Sequence, residues 1–154
     1  MMRPPIRVFL AVLAAAILLS SCASIQRAQD QGRVGRIAEL INSGEAGKLA
    51  AMSGVPFLLD QEIIPLRDDI AGFWKDVVKA GFRVEGPALE KGSPVTADSY
   101  RAFADTLEAK AFFSRYVKKG ARVLELSTSG GRTIILLVRD TLFSRTLYGF
   151  KGPF

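Results

Sequence analysis

One cysteine and no histidine stand among the 154 residues, and that inventory decides most of the chemistry open to the chain. Zinc sites built from Cys and His, Cys–His and Ser–His–Asp nucleophiles, and imidazole bases are excluded, because the groups that would bind the metal or accept the proton are missing. Carboxylates and phenols remain. Asp60 and Glu62 lie in the apolar stretch "FLLDQEII", where a carboxylate in a dry pocket could serve as a general base; as turn residues they would face water instead. Phe57, Trp74 and Tyr100 are the aromatic residues that could line such a pocket, and each has an ordinary packing role beside it. "STSGGRT" has glycines, hydroxyls and Arg132, the ingredients of an anion site, but it lacks the lysine spacing of a phosphate loop and precedes no helix, so it reads as a hairpin turn. We therefore assign no catalytic residue, no metal ligand and no cofactor from the sequence.

The cysteine has a different context. Arg3 and Arg7 are followed by "VFLAVLAAAILL", Val8 to Leu19, and then by small residues. A basic start, an apolar run of about 7 to 15 residues and a small-residue exit make a secretory signal, and the run is short of the roughly 20 residues that span a bilayer. Leu19, Ser20, Ser21 and Cys22 resemble the bacterial lipoprotein signal. That resemblance implies diacylglycerol transfer to the Cys22 sulfur, cleavage between Ser21 and Cys22, and acylation of the freed amine. An ordinary cleaved signal and an uncleaved anchor are the alternatives. Ala23 and Ser24 follow the cysteine, where an aspartate would resemble an inner-membrane retention signal, so an outer membrane is expected if the source has two.

Without residues 1–21 the charge balance is 19 basic to 15 acidic residues. The charges are interspersed, and the densest cluster, Lys118, Lys119 and Arg122, is too small for a nucleic-acid stripe. It could still attract anionic headgroups weakly.

These side chains must be positioned by one domain, expected over residues 34–154 behind a polar tether at 22–33. Val34, Ile37, Ala38 and Ile41 repeat at helical spacing. "EAGKLAAM" reads as a second short helix. "VPFLLDQEIIP" reads as two short strands around a turn, or one irregular edge strand. Leu66 to Ala80 reads as a helix with Asp68 and Asp69 at its start, Lys79 near its end and Gly81 as the stop. "FRVEGPALEKGSPV" suggests strand, loop, strand. Thr96 or Asp98 would cap a helix running toward Gly120, with Tyr100, Phe103, Leu107 and Ala111 on one face and a break near Ala109. Strands follow at 122–128, 133–139 and 146–150. The middle one is apolar on both faces and should be central.

The order is α+β, with N-terminal helices packed on one face of a curved antiparallel sheet. The helix leading into "SGVPFLLDQEII", the segment "DDIAGFWKDVVKAGF" and the C-terminal "LLVRD" with "LYGFKGPF" resemble the nuclear transport factor 2-like superfamily. That resemblance implies a cone with an internal pocket, a fold that serves both isomerases or dehydratases and non-catalytic binding modules. The expectation is a membrane-anchored envelope lipoprotein, a binding or interaction module with a small apolar pocket, whose partner is a small apolar ligand or an envelope protein. The alternative is a pocket enzyme of the isomerase, dehydratase or hydrolase kind using carboxylates and tyrosines.

Overall fold

The computed structural model describes residues 22–154 with their side chains; the expected signal segment 1–21, with Leu19, Ser20 and Ser21, lies outside the described residues. The first helix, α1, is assigned over Pro5–Asn42. It is followed by α2 (Ala46–Met52), β1 (Ser53–Leu59), β2 (Glu62–Ile64), α3 (Arg67–Lys79) and β3 (Ala88–Pro94). A 3-10 turn at Ser99–Ala102, α4 (Leu107–Tyr116), β4 (Arg122–Ser127), β5 (Thr133–Asp140) and β6 (Arg145–Lys151) complete the domain.

The strands form one six-stranded sheet in the order β2-β1-β6-β5-β4-β3. The α+β class holds, but the sheet is mixed: β1 runs parallel to β6, while every other neighbouring pair is antiparallel. Local hairpin patterns could not reveal this, because β1 and β6 meet only after the rest of the domain has been threaded between them. The β1–β6 register shifts between Ser53 and Leu58, the stretch holding Pro56, which has no N–H to give to a ladder. Gly149 of β6 faces Leu58, and a Cβ there would lie 2.9 Å from the Leu58 carbonyl oxygen.

Helices cover both faces of the sheet, not one. Val34, Ile37 and Ile41 of α1, Leu49 of α2, and Ile70 and Trp74 of α3 pack on one face against Leu124, Ile134, Leu136 and Phe150. On the other face the 3-10 turn and α4 place Tyr100, Phe103, Phe112 and Phe113 against Leu58, Ile135 and Leu137. β5 thus feeds both cores by alternation, with β4 and β6 as neighbours, which is why its sequence is apolar throughout.

Three segments depart from the sequence expectation. The polar stretch read as a tether at 22–33 is helical within α1, and its side chains hold the β3 edge: Arg27 donates to the Leu89 carbonyl, and Gln31 bonds both Pro87 O and Leu89 N. The first half of "FRVEGPALEKGSPV" forms no strand, because Val84 exchanges its backbone bonds with the Asn42 amide at 2.8 and 2.9 Å rather than with a ladder. The helix expected from residue 96 or 98 is a short 3-10 turn, and α4 starts later, where Thr106 Oγ1 accepts from Ala109 N at 3.2 Å. That cap rotates the buried face to Ala109, Phe112 and Phe113 and leaves Leu107 and Ala111 exposed.

Candidate interaction cleft

The five residues expected around a pocket do not converge. Phe57 and Trp74 meet with ring centroids 6.1 Å apart in the core beneath α3. Trp74 is fully buried, and its Nε1 donates to Ser53 Oγ at 2.9 Å, which in turn donates to Leu49 O at 2.8 Å, so its polar atom has a structural partner. Tyr100 sits on the opposite face of the sheet, flanked by Arg101 and Lys110. Asp60 is exposed in the β1–β2 turn and Glu62 is exposed at the start of β2. Asp60 takes a left-handed φ of 53° there and its Oδ1 accepts from Gly152 N at 2.8 Å, a turn-forming role for a short polar side chain.

The interior between α1 and the sheet, lined by Val34, Ile41, Leu136 and Phe150, holds a cavity of about 10 Å³. That is about the space of one water centre and far below the roughly 300 Å³ of a ligand pocket.

Charge is buried elsewhere. Asp30 falls on the same helical stripe as Val34, Ile37 and Ile41, and it is 1% exposed. Arg122 at the start of β4 grips it from Nε to both carboxylate oxygens at 2.9 Å and from Nη2 to Oδ2 at 2.7 Å, the planar fork that a guanidinium is shaped to make. Arg33 Nη1 and Gln26 Nε2 donate to Oδ1. Gly92 of β3 makes room for the carboxylate: a Cβ there would lie 2.5 Å from Asp30 Oδ2.

Arg33 reaches on to Asp140 at the end of β5, Nε to Oδ2 at 3.4 Å, and Arg145 approaches the other oxygen of Asp140 at 3.3 Å. Asp140 Oδ1 is buried without a hydrogen bond of good geometry. Beside this chain of charges, α1 and the β5–β6 hairpin enclose an open cleft of about 810 Å³ walled by Gln29, Arg33 and Arg36 on one side and Leu142 and Arg145 on the other. Gly32 and Gly35 leave the α1 side open. Arg36 forms no ion pair among the described residues. The cleft offers hydrogen-bond donors and positive charge from Arg33, Arg36 and Arg145 beside the carboxylates of Glu39 and Asp140, and its guanidinium groups can bind an anionic group.

Away from it, exposed Arg101 is held above its usual pKa first by the Tyr100 hydroxyl and then by Asp98 and Asp105, which keeps it a fixed cation. Among the described residues no group of three or more Cys, Asp or Glu side chains could hold a metal ion, and no helix is long and apolar enough to cross a membrane. The sequence reading missed the Asp30 network, although a signal existed: a carboxylate on an apolar stripe predicts a buried cationic partner. No family model and no curated protein matches the sequence.

Proposed function

We propose that this chain is a bacterial envelope lipoprotein, held at its membrane by acyl chains on Cys22, whose domain is a non-catalytic interaction module of nuclear transport factor 2-like build. The observation that carries the non-catalytic reading is the filled interior, about 10 Å³, together with candidate acid–base groups that point away from it. The working surface is then the arginine-walled cleft between α1 and the β5–β6 hairpin. Helices α1 to α3 covering one face of a six-stranded sheet support the fold-family reading. A small apolar ligand or a pocket enzyme would need space and converging groups; the cavity under α1 offers neither, and Asp60 lines instead an open cleft of about 390 Å³ beside Phe103 and Lys151.

The anchor rests on Leu19, Ser20, Ser21 and Cys22 and on the exposure of Cys22 at the surface of α1. Two or three acyl chains, each methylene contributing about 0.8 kcal/mol on burial, hold a domain durably. Ala23 and Ser24 favour an outer membrane where there are two. Intact-mass measurement of protein extracted from membranes tests this: a diacylglyceryl-cysteine N-terminus at Cys22 is expected, and Cys22→Ser abolishes incorporation of labelled fatty acid. An unacylated Cys22 in the membrane-extracted protein refutes the anchor. A bound apolar molecule in native mass spectra of the detergent-released protein would refute the filled interior.

A further inference from the structure

The tip of the β5–β6 hairpin carries Leu142 and Phe143, each 96% exposed. They are the two central residues of a tight turn closed by Thr141 N donating to Ser144 O at 2.8 Å and by Ser144 N donating to Thr141 Oγ1 at 3.0 Å. A turn braced in this way presents both side chains outward together, and two adjacent large apolar groups with no cover call for an apolar partner. Basic side chains surround them. Arg145 leaves the turn, Arg36 faces it across the cleft, and the Arg139 guanidinium donates to Lys119 O at 2.9 Å, which brings the Lys118–Lys119 corner to the same end of the sheet. The acidic groups facing the cleft are Glu39 and Asp140, and Asp140 is taken up by Arg33 and Arg145.

The position of Cys22 selects the partner. Cys22, Ile25, Gln29, Gly32 and Arg36 follow one another at three- and four-residue steps along α1, so they share one face of the helix. The cleft and the hairpin lie against that face from Gln29 to Arg36, and Cys22 is only about 10 Å further along the axis at 1.5 Å per residue. Ile25, also exposed, continues the apolar surface toward the cysteine.

We propose that the hairpin tip is a second membrane contact: Leu142 and Phe143 enter the interface of the bilayer that holds the Cys22 acyl chains, while Arg36, Arg145 and the Lys118–Lys119 corner meet anionic headgroups. It rests on the anchor reading and names the occupant of the cleft's rim as a lipid surface. Two contacts on one helix face fix the domain's tilt, where a single lipidated cysteine would leave it free to swing.

The test uses the mature, lipidated protein carrying Phe143→Trp, reconstituted in vesicles of phosphatidylethanolamine and phosphatidylglycerol with or without brominated acyl chains. The native Trp74 is fully buried and gives an unquenched background. The added emission of F143W is expected to shift to the blue and to be quenched by the brominated lipid. A buried Leu favours lipid over water by roughly tenfold or more, so adding Leu142→Ser lowers the quenched fraction. Lys118→Glu with Lys119→Glu, or vesicles of phosphatidylcholine alone, lowers it as well. Water-exposed, unquenched emission from F143W in protein whose Cys22 acylation has been verified by mass overturns the hairpin contact and leaves the anchor standing. An unacylated Cys22 refutes the anchor instead. F143W emission that stays unquenched in brominated pure lipid, with the hairpin tip cross-linking to another protein in native envelopes, also overturns it, in favour of a protein partner.

Discussion

Replacing Arg122 with methionine keeps the buried stem and removes the fork that holds Asp30. The carboxylate loses three contacts of 2.7 to 2.9 Å and keeps only Arg33 and Gln26, while its 1% exposure denies it water. Breaking a buried pair costs about 3–5 kcal/mol, and because Arg33 remains, the lower end, about 3 kcal/mol, is expected. Domains of this size have total stabilities of about 5–15 kcal/mol, so the loss is a large share. With a urea slope of about 1–3 kcal/mol/M, the midpoint followed by far-UV circular dichroism should fall by about 1–3 M. Asp30→Leu removes the opposite partner and leaves Arg122 and Arg33, which are 16% and 19% exposed and can recruit water, so it should cost less. The double variant should recover part of the loss, because the apolar pair leaves no buried charge to solvate. A coupling of about 2 kcal/mol is expected; two single-variant costs that add within about 0.5 kcal/mol would refute the claim that this pair bears the load at the α1–sheet contact.

Two further perturbations test the packing that surrounds it. Gly92→Ala places a methyl where Asp30 Oδ2 stands, 2.5 Å from the built Cβ, with Leu124 Cδ2 behind it at 3.3 Å; it should lower the urea midpoint, and much less so in the Asp30→Leu background. Ser53→Ala strips the acceptor from the fully buried Trp74 Nε1 and should cost about 1–3 kcal/mol, with a shift of the single tryptophan's emission reporting the same site.

What the sequence made legible were features decided within a few residues. Asp68, Asp69 and Lys79 bracket α3 because a helix dipole rewards charge at its ends, and the unbroken apolar run of β5 required cover on both faces. What escaped were choices made by distant partners. The parallel β1–β6 pairing joins the first and last strands of the chain, and nothing in either strand names the other. The sequence offered Thr96 or Asp98 as the cap, and the cap is instead Thr106, because Phe112 and Phe113 had a core to enter on the far face of the sheet. The candidate pocket failed for the same reason: Phe57, Trp74 and Tyr100 are all buried, but burial alone does not say on which face, and the sheet separates Tyr100 from the other two.

Stability is a poor reason for a buried ion pair, since apolar residues of equal volume commonly do as well. The Asp30–Arg122 pair is better understood through the helix that carries it. The apolar stripe of α1 is made of Val34, Ile37, Ala38 and Ile41, side chains that would pack nearly as well after a one-turn slide; the forked guanidinium accepts only one position. Arg27 and Gln31 read the same register on the β3 backbone. Because α1 also carries Cys22, that register sets the distance from the acylated cysteine to the hairpin tip. The double variant Asp30→Leu with Arg122→Met should therefore be more stable than Arg122→Met alone yet looser at α1 than the parent. Faster amide exchange at Leu89, whose N–H is bonded to Gln31 Oε1, by more than the fall in the urea midpoint accounts for, is the expected outcome; exchange at that amide that only follows the midpoint would mean that the apolar stripe alone holds the helix in place.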